Sequence, residues 1–120
     1  MPVGEHTNSN CWLTAIQLSE EAPVKPMDVI LALEADDVES RPVWKPMHLQ
    51  PVFSDCDFVG VDAEGRAAGR AYFHVTDEET GADDSVSGTL FSRGVCMPSD
   101  TKMDDVDLAR ICDVVKALWA

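Results

Sequence analysis

The chain has 120 residues, enough for one domain with a modest hydrophobic core. Hydrophobic residues make up 45% and charged residues 26%, the balance of an ordinary globular protein rather than a disordered or fibrous one. The net charge of −13 argues against a nucleic-acid partner, because phosphate backbones demand a basic face, and no window approaches the roughly 20 apolar residues that span a bilayer.

The N-terminus, Met1-Pro2-Val3-Gly4-Glu5-His6, carries neither a basic patch nor an apolar signal core, so a cytoplasmic location is expected. Cys11, Cys56, Cys96 and Cys112 are too far apart for the short pairs that zinc ribbons and redox sites use. Three of them have apolar or small neighbours, which predicts core positions, and all four are expected to be reduced thiols.

In chain order, residues 11–18 alternate loosely and are rich in strand formers, which predicts a strand followed by a polar loop over Ser19 to Val24. Pro26 suits the first turn of a helix, where its missing N–H costs nothing. That helix is expected to run to about Asp37, with Met27, Ile30, Leu31 and Leu33 as its buried stripe. Arg41 to Trp44 reads as a short strand. Lys45-Pro46-Met47-His48-Leu49-Gln50-Pro51 follows, and its two prolines forbid a helix across it and favour an extended, rigid loop.

Phe58 to Asp62 and Ala71 to Val75 are expected to pair as a hairpin around Glu64-Gly65-Arg66, followed by an acidic loop over Thr76 to Asp84. A helix from about Asp84 to Ser92 is predicted next, with Val86, Leu90 and Phe91 inward and Gly94 as its stop. The last helix is the clearest. Asp104 caps it, Asp105 and Asp107 suit its positive end, Met103 is placed to staple against Leu108, and Leu108, Ile111, Val115 and Leu118 recur at helical spacing.

The chemistry concentrates in Arg41 to Phe53, which holds Arg41, Lys45 and His48 with no acid, although Asp36, Asp37 and Glu39 precede it and Asp55 and Asp57 follow. A stiff cationic loop suits a diphosphate or carboxylate: arginine offers a fork of donors, lysine a point charge, and rigidity lowers the ordering cost. Trp44 would add a flat wall beside a base or sugar ring. The plainer alternative is a basic surface loop bridged to the acidic body. His6 and His74 have no matching partner. The acidic loop lacks the alternating ligands of a calcium site, and no glycine-rich phosphate loop or nucleophile elbow occurs. Neither a catalytic residue nor a metal site is read from the pattern.

The segment Glu39-Ser-Arg-Pro-Val-Trp-Lys-Pro-Met-His-Leu-Gln-Pro-Val-Phe53 closely resembles a signature of sugar-nucleotide aminotransferases of the DegT/StrS type. In the same order, Ser9-Asn10-Cys11-Trp12-Leu13 resembles the strand entry of that family's small C-terminal domain, and Leu90-Phe91-Ser-Arg-Gly-Val-Cys-Met-Pro-Ser99 with its acid-capped helix resembles the family's C-terminal ending. The resemblance implies an α+β fold, a small mixed or antiparallel sheet with helices on one face, as in the C-terminal domain of fold-type-I pyridoxal-phosphate enzymes. It implies that residues 1–120 form a single substrate-side domain, without the large cofactor-binding domain and without the helix that leads into the small one.

By that resemblance the full-length enzyme would use pyridoxal phosphate (PLP) to exchange a keto group on a nucleotide-linked sugar for an amine, with glutamate as donor, and would assemble as a homo-oligomer. Arg41, Trp44, Lys45 and His48 would form its substrate wall, and Asn10 is a further substrate-binding candidate that also suits the turn into the strand. Lys25, Lys45, Lys102 and Lys116 lack the context of a Schiff-base lysine, so no cofactor and no activity are expected of the chain alone. The stretch between Phe53 and Leu90 is longer than the family's pattern. Two other readings fit the same residues: a stand-alone module binding an anion or sugar nucleotide, and a structural interaction domain.

Overall fold

The computed structural model describes residues 5–53, 55–56 and 85–120. They fall into two compact units, one comprising Met1–Pro42 and Gly94–Ala120, the other Val43–Arg93. The expected hairpin and the acidic loop lie outside the described residues.

The first unit opens on a tight turn. Ser9 Oγ accepts the Cys11 N–H at 3.1 Å, Asn10 Oδ1 accepts the Trp12 N–H at 3.2 Å, and Cys11 takes a left-handed φ of 50°. Side chains that capture backbone donors in this way compete with a sheet ladder. Strand β1 therefore begins at Thr14 and covers Thr14–Gln17, shorter than the predicted 11–18.

Strand β2, Arg41–Pro42, is also shorter than predicted. Proline has no N–H to donate and is tolerated at an edge, where the ladder stops. Between β1 and β2 lies β3, Gly94–Met97, antiparallel to both: Ile16 and Pro42 flank Val95, and Ala15 and Arg41 flank Cys96. This central strand is absent from the sequence prediction, which gave Gly94 only as a helix stop. Its first three residues are buried.

Helix α1 spans Pro26–Ala35 with proline at its start, and Asp28 accepts the Lys25 N–H at 2.7 Å. Its end is a Schellman motif: the Asp37 N–H reaches the Glu34 carbonyl at 3.0 Å and the Val38 N–H the Leu33 carbonyl at 2.9 Å. Val29 and Leu33 are fully buried, whereas Met27 and Leu31 are more than half exposed. Leu33 is thus buried and Ile30 packs against the core as predicted, while Val29 takes the inward place given to Met27 and Leu31. Apolar residues occupy both faces, so periodicity alone leaves the phase open, and packing against β3 decides it.

Helix α3, Asp105–Ala117, carries the predicted cap. Asp104 Oδ1 accepts the N–H groups of Val106 at 2.8 Å and Asp107 at 3.0 Å, and Asp107 Oδ2 accepts the Asp104 N–H at 3.3 Å. Ile111, Val114, Val115 and Leu118 pack against a core of Leu18, Val29, Leu33 and Val95. Leu108, predicted inward, is exposed, because it lies before the turn at which the helix meets α1. At that junction Arg110 Nε donates to Asp36 Oδ2 at 2.6 Å and its Nη2 to the Asp36 carbonyl, placing a cation at the negative end of α1. The first unit is an α+β arrangement with α1 and α3 over an antiparallel sheet, the fold class expected.

In the second unit the proline-punctuated stretch is not extended. It forms two 3₁₀ turns, Met47–Leu49 and Pro51–Phe53, the first preceded by Pro46 and the second opened by Pro51. Each proline's fixed φ suits the start of a tight turn as well as an extended chain. Helix α2, Val86–Arg93, is capped by Ser85, whose Oγ accepts the Gly88 N–H at 2.9 Å. That cap sets a phase with Gly88 buried and Phe91 half-buried, and it leaves Val86 and Leu90 exposed, contrary to the predicted inward face.

All four cysteines are free, but only Cys96 is buried, so the expectation of three core cysteines is corrected to one. Cys11, Cys56 and Cys112 should react with a thiol reagent in the native state and Cys96 only on unfolding; four equally fast thiols would contradict the buried β3. Asp37 adopts φ 55° at the glycine position of the Schellman motif. Asp37→Gly should therefore raise the unfolding free energy by up to about 1 kcal/mol, read as a higher urea midpoint at unchanged slope.

Candidate functional site

Arg41 stands in the sheet row of Ala15 and Cys96, one residue off the Ile16–Val95–Pro42 row whose Ile16 and Val95 enter the core. Successive strand residues point to opposite faces, so its guanidinium leaves the core side. It meets Glu39 Oε1, with Nε at 2.8 Å and Nη2 at 2.5 Å, and both side chains are about three-quarters exposed. The pairing follows from the same alternation, since residues two apart on an extended segment share a face. Arg41 thus has an acid partner that the reading of an acid-free basic loop did not include. An exposed pair of this kind contributes on the order of 0–1 kcal/mol and exchanges readily with a competing anion.

Arg41 borders an open cleft of about 490 Å³ within the first unit, walled also by Glu39, Ser40, Asp100, Asp107 and Arg110. Ser40 Oγ is buried in this wall without a hydrogen-bond partner. Much of the remaining lining is apolar, from Leu13, Val38, Met97, Pro98, Met103 and Ile111, and both arginines at the cleft are already paired with acids, Arg41 with Glu39 and Arg110 with Asp36. Asn10 spends its carboxamide oxygen on the Trp12 N–H, so the structure gives it the turn-forming role.

Trp44, Lys45 and His48 belong to the second unit. The loop is clasped by Gln50, whose Nε2 donates to the Lys45 carbonyl at 3.2 Å, and by the Leu49 N–H to the Pro46 carbonyl at 3.1 Å. Trp44 is 65% exposed and Lys45 is exposed, with no acid partner for the Lys45 ammonium among the described residues. His48 is half-buried, and its Nε2 lies 3.3 Å from the hydroxyl of Ser85. Ser85 was not a candidate in the sequence, where the helix start was placed at Asp84. The available signal was a serine three residues before Gly88 at the head of an apolar run.

The four lysines, Lys25, Lys45, Lys102 and Lys116, are all exposed. Among the described residues no group of three or more histidine, cysteine or acidic side chains is placed to hold a metal, and no helix is long and apolar enough to cross a membrane.

The first unit is thus a small α+β domain, a three-stranded antiparallel sheet packed with α1 and α3. No family model matches the chain. It is 34% identical over 92% of its length to EpsN of Bacillus subtilis (strain 168), a protein assigned as a pyridoxal phosphate-dependent aminotransferase, and 26% identical over 97% of its length to GDP-perosamine synthase of Vibrio cholerae. The matches cover 23% and 27% of those proteins, at their C-terminal ends, so the chain spans about a quarter of the relatives it matches. The chain belongs with the DegT/StrS-type PLP-dependent aminotransferases and corresponds to their C-terminal small domain.

Proposed function

We propose that this chain is the substrate-side portion of an enzyme that aminates a keto sugar carried on a nucleotide, for polysaccharide or glycoconjugate synthesis. The observation that carries the reading is the likeness to EpsN along nearly the whole chain, joined by the likeness to a GDP-perosamine synthase, a name that points to a nucleotide-linked sugar. In this reading PLP is held by the large domain of the full-length enzyme, where it supplies the electron sink for amino transfer. The chain's own residues hold and orient the substrate. The enzyme is a cytoplasmic homodimer, and the 120-residue chain alone is inactive.

Lys45 offers an exposed ammonium to a diphosphate, and Trp44 offers a ring face to a base or hexose. Arg41 exchanges Glu39 for a substrate oxygen, a trade made inexpensive by the exposure of that pair. His48 is a further candidate for a contact to the substrate. Asn10 shapes the turn before β1 and contributes to the wall through its placement of Trp12 and Leu13.

In the full-length enzyme, Lys45→Ala should weaken nucleotide-sugar binding by about 1–3 kcal/mol, the range of a lost charge-assisted hydrogen bond, and leave the PLP absorbance unchanged. Titration calorimetry with the nucleotide sugar checks this; unchanged affinity would remove Lys45 from the substrate wall.

A further inference from the structure

We propose that the cleft of the first unit is a binding site for a small amphiphilic amine, a molecule with an apolar body and one ammonium group. The proposal goes beyond the substrate reading above and does not depend on it. Every wall of the cleft belongs to the first unit, whereas Trp44, Lys45 and His48 belong to the second. It also leaves the Arg41–Glu39 pair closed, where the substrate reading opens it.

The lining sorts by exposure. Leu13, Val38, Met97, Pro98, Met103 and Ile111 are half-buried and make an apolar floor, while Asp37, Glu39, Asp100 and Asp107 are exposed and make an acidic rim. Two of the floor residues are methionines, whose unbranched, polarisable side chains adapt to ligands of differing shape. A volume of about 490 Å³ is in the range of small-molecule sites, which combine mainly apolar walls with a few polar groups.

Charge selects the head group. Four carboxylates in the lining stand against two guanidiniums, an excess of two negative charges. Arg41 is held by Glu39 and Arg110 by Asp36, so an anion gains either cation only by displacing an acid. The carboxylates, in contrast, keep acceptor capacity after their structural bonds. Asp100 Oδ1 accepts the Lys102 N–H at 2.9 Å and Asp107 Oδ2 the Asp104 N–H at 3.3 Å, and an ionised carboxylate has about four acceptor sites. An ammonium brings three donors and the complementary charge to such a rim.

Ser40 supplies a second, independent sign of a ligand. Its Oγ is buried in the cleft wall without a hydrogen-bond partner, the one such side-chain atom among the described residues. A buried polar atom of this kind already carries its desolvation cost, so a donor delivered to it relieves that cost. A serine hydroxyl reorients about χ1 and can turn to meet the donor.

Titration of the chain with n-hexylamine, n-hexanol and n-hexanoate separates the head group from the apolar body, which the three share. Methionine ¹H–¹³C methyl spectra locate the site. Hexylamine should shift Met97 and Met103, leave the exposed Met27 and Met47 in place, and bind at least several-fold more tightly than hexanol, with hexanoate weakest. Rising salt should weaken hexylamine and not hexanol, because the rim carboxylates are exposed. Equal binding of amine and alcohol, tighter binding of hexanoate, or equal shifts at Met27 and Met47 would overturn the proposal.

Three variants probe the rim and wall. Asp37→Asn removes a charge at a left-handed position that asparagine tolerates, and should weaken hexylamine several-fold but not hexanol. Glu39→Gln should weaken hexylamine and, by releasing Arg41, strengthen hexanoate. Ser40→Ala should weaken hexylamine without lowering the urea midpoint, since it deletes an unpaired polar group. Unchanged hexylamine affinity in any of the three would overturn the proposal. The full-length enzyme should give the same order of ligands; loss of binding there would show the cleft covered by the rest of the protein and overturn it as a ligand site. None of these readings uses a nucleotide sugar, so failure of the substrate reading at Lys45 leaves them unaffected.

Discussion

The contact of α1 with the central strand, Val29 and Leu33 against Val95, organises the first unit. All three side chains are fully buried, and with Leu18 they make up its core. Burying an aliphatic side chain contributes about 1.5–3 kcal/mol, so four such residues leave little margin for error in any of them. The remaining parts attach to this contact. β1 and β2 flank the strand that carries Val95, and α3 lays Ile111, Val115 and Leu118 on the same cluster. Arg110 and Asp36 then hold the end of α1 to α3 at a point where apolar packing has run out.

This small core explains which elements were legible from the sequence. The acidic cap of α3 and the proline at the head of α1 are local features, written in adjacent residues and unaffected by tertiary packing. Burial phase is not local. Met27, Val29, Ile30, Leu31 and Leu33 supply apolar side chains around most of α1, and only the position of β3 decides that Val29 and Leu33 go inside. β3 itself was missed because Gly94-Val95-Cys96-Met97 is too short for alternation to register, and because a glycine after a helix reads first as a stop. Its burial on both faces would have been signalled by the unbroken apolar run ending at Pro98.

The candidate site was legible in composition and misread in conformation. Arg41, Trp44, Lys45 and His48 stood out as basic and aromatic residues among acids. The two prolines were taken to stretch the segment, but Pro46 and Pro51 instead introduce consecutive 3₁₀ turns. A fixed φ near −65° is common to both outcomes, and it is the ψ of the following residues that differs. Glu39 was counted as lying before the loop, yet strand alternation returns it to Arg41. Ser85 could not be paired with His48 from sequence at all, because their contact joins positions far apart in the chain.

The charge of the whole chain constrains how this segment works. At −13, the chain's net charge repels anions at long range, so electrostatic steering does not favour an anionic ligand. Screening confines that repulsion to about 8 Å at physiological ionic strength, and inside that distance individual groups dominate. In the proposed reading the attraction comes from directed contacts, such as one to the exposed Lys45 ammonium, which has no acid partner among the described residues. Such contacts gain from geometry more than from net charge. A loop stiffened by two prolines and clasped by Gln50 holds its part of that geometry before the ligand arrives, which lowers the ordering cost of binding. An acidic composition and a basic segment are therefore compatible, because in the proposed reading affinity depends on individual donors rather than on net charge.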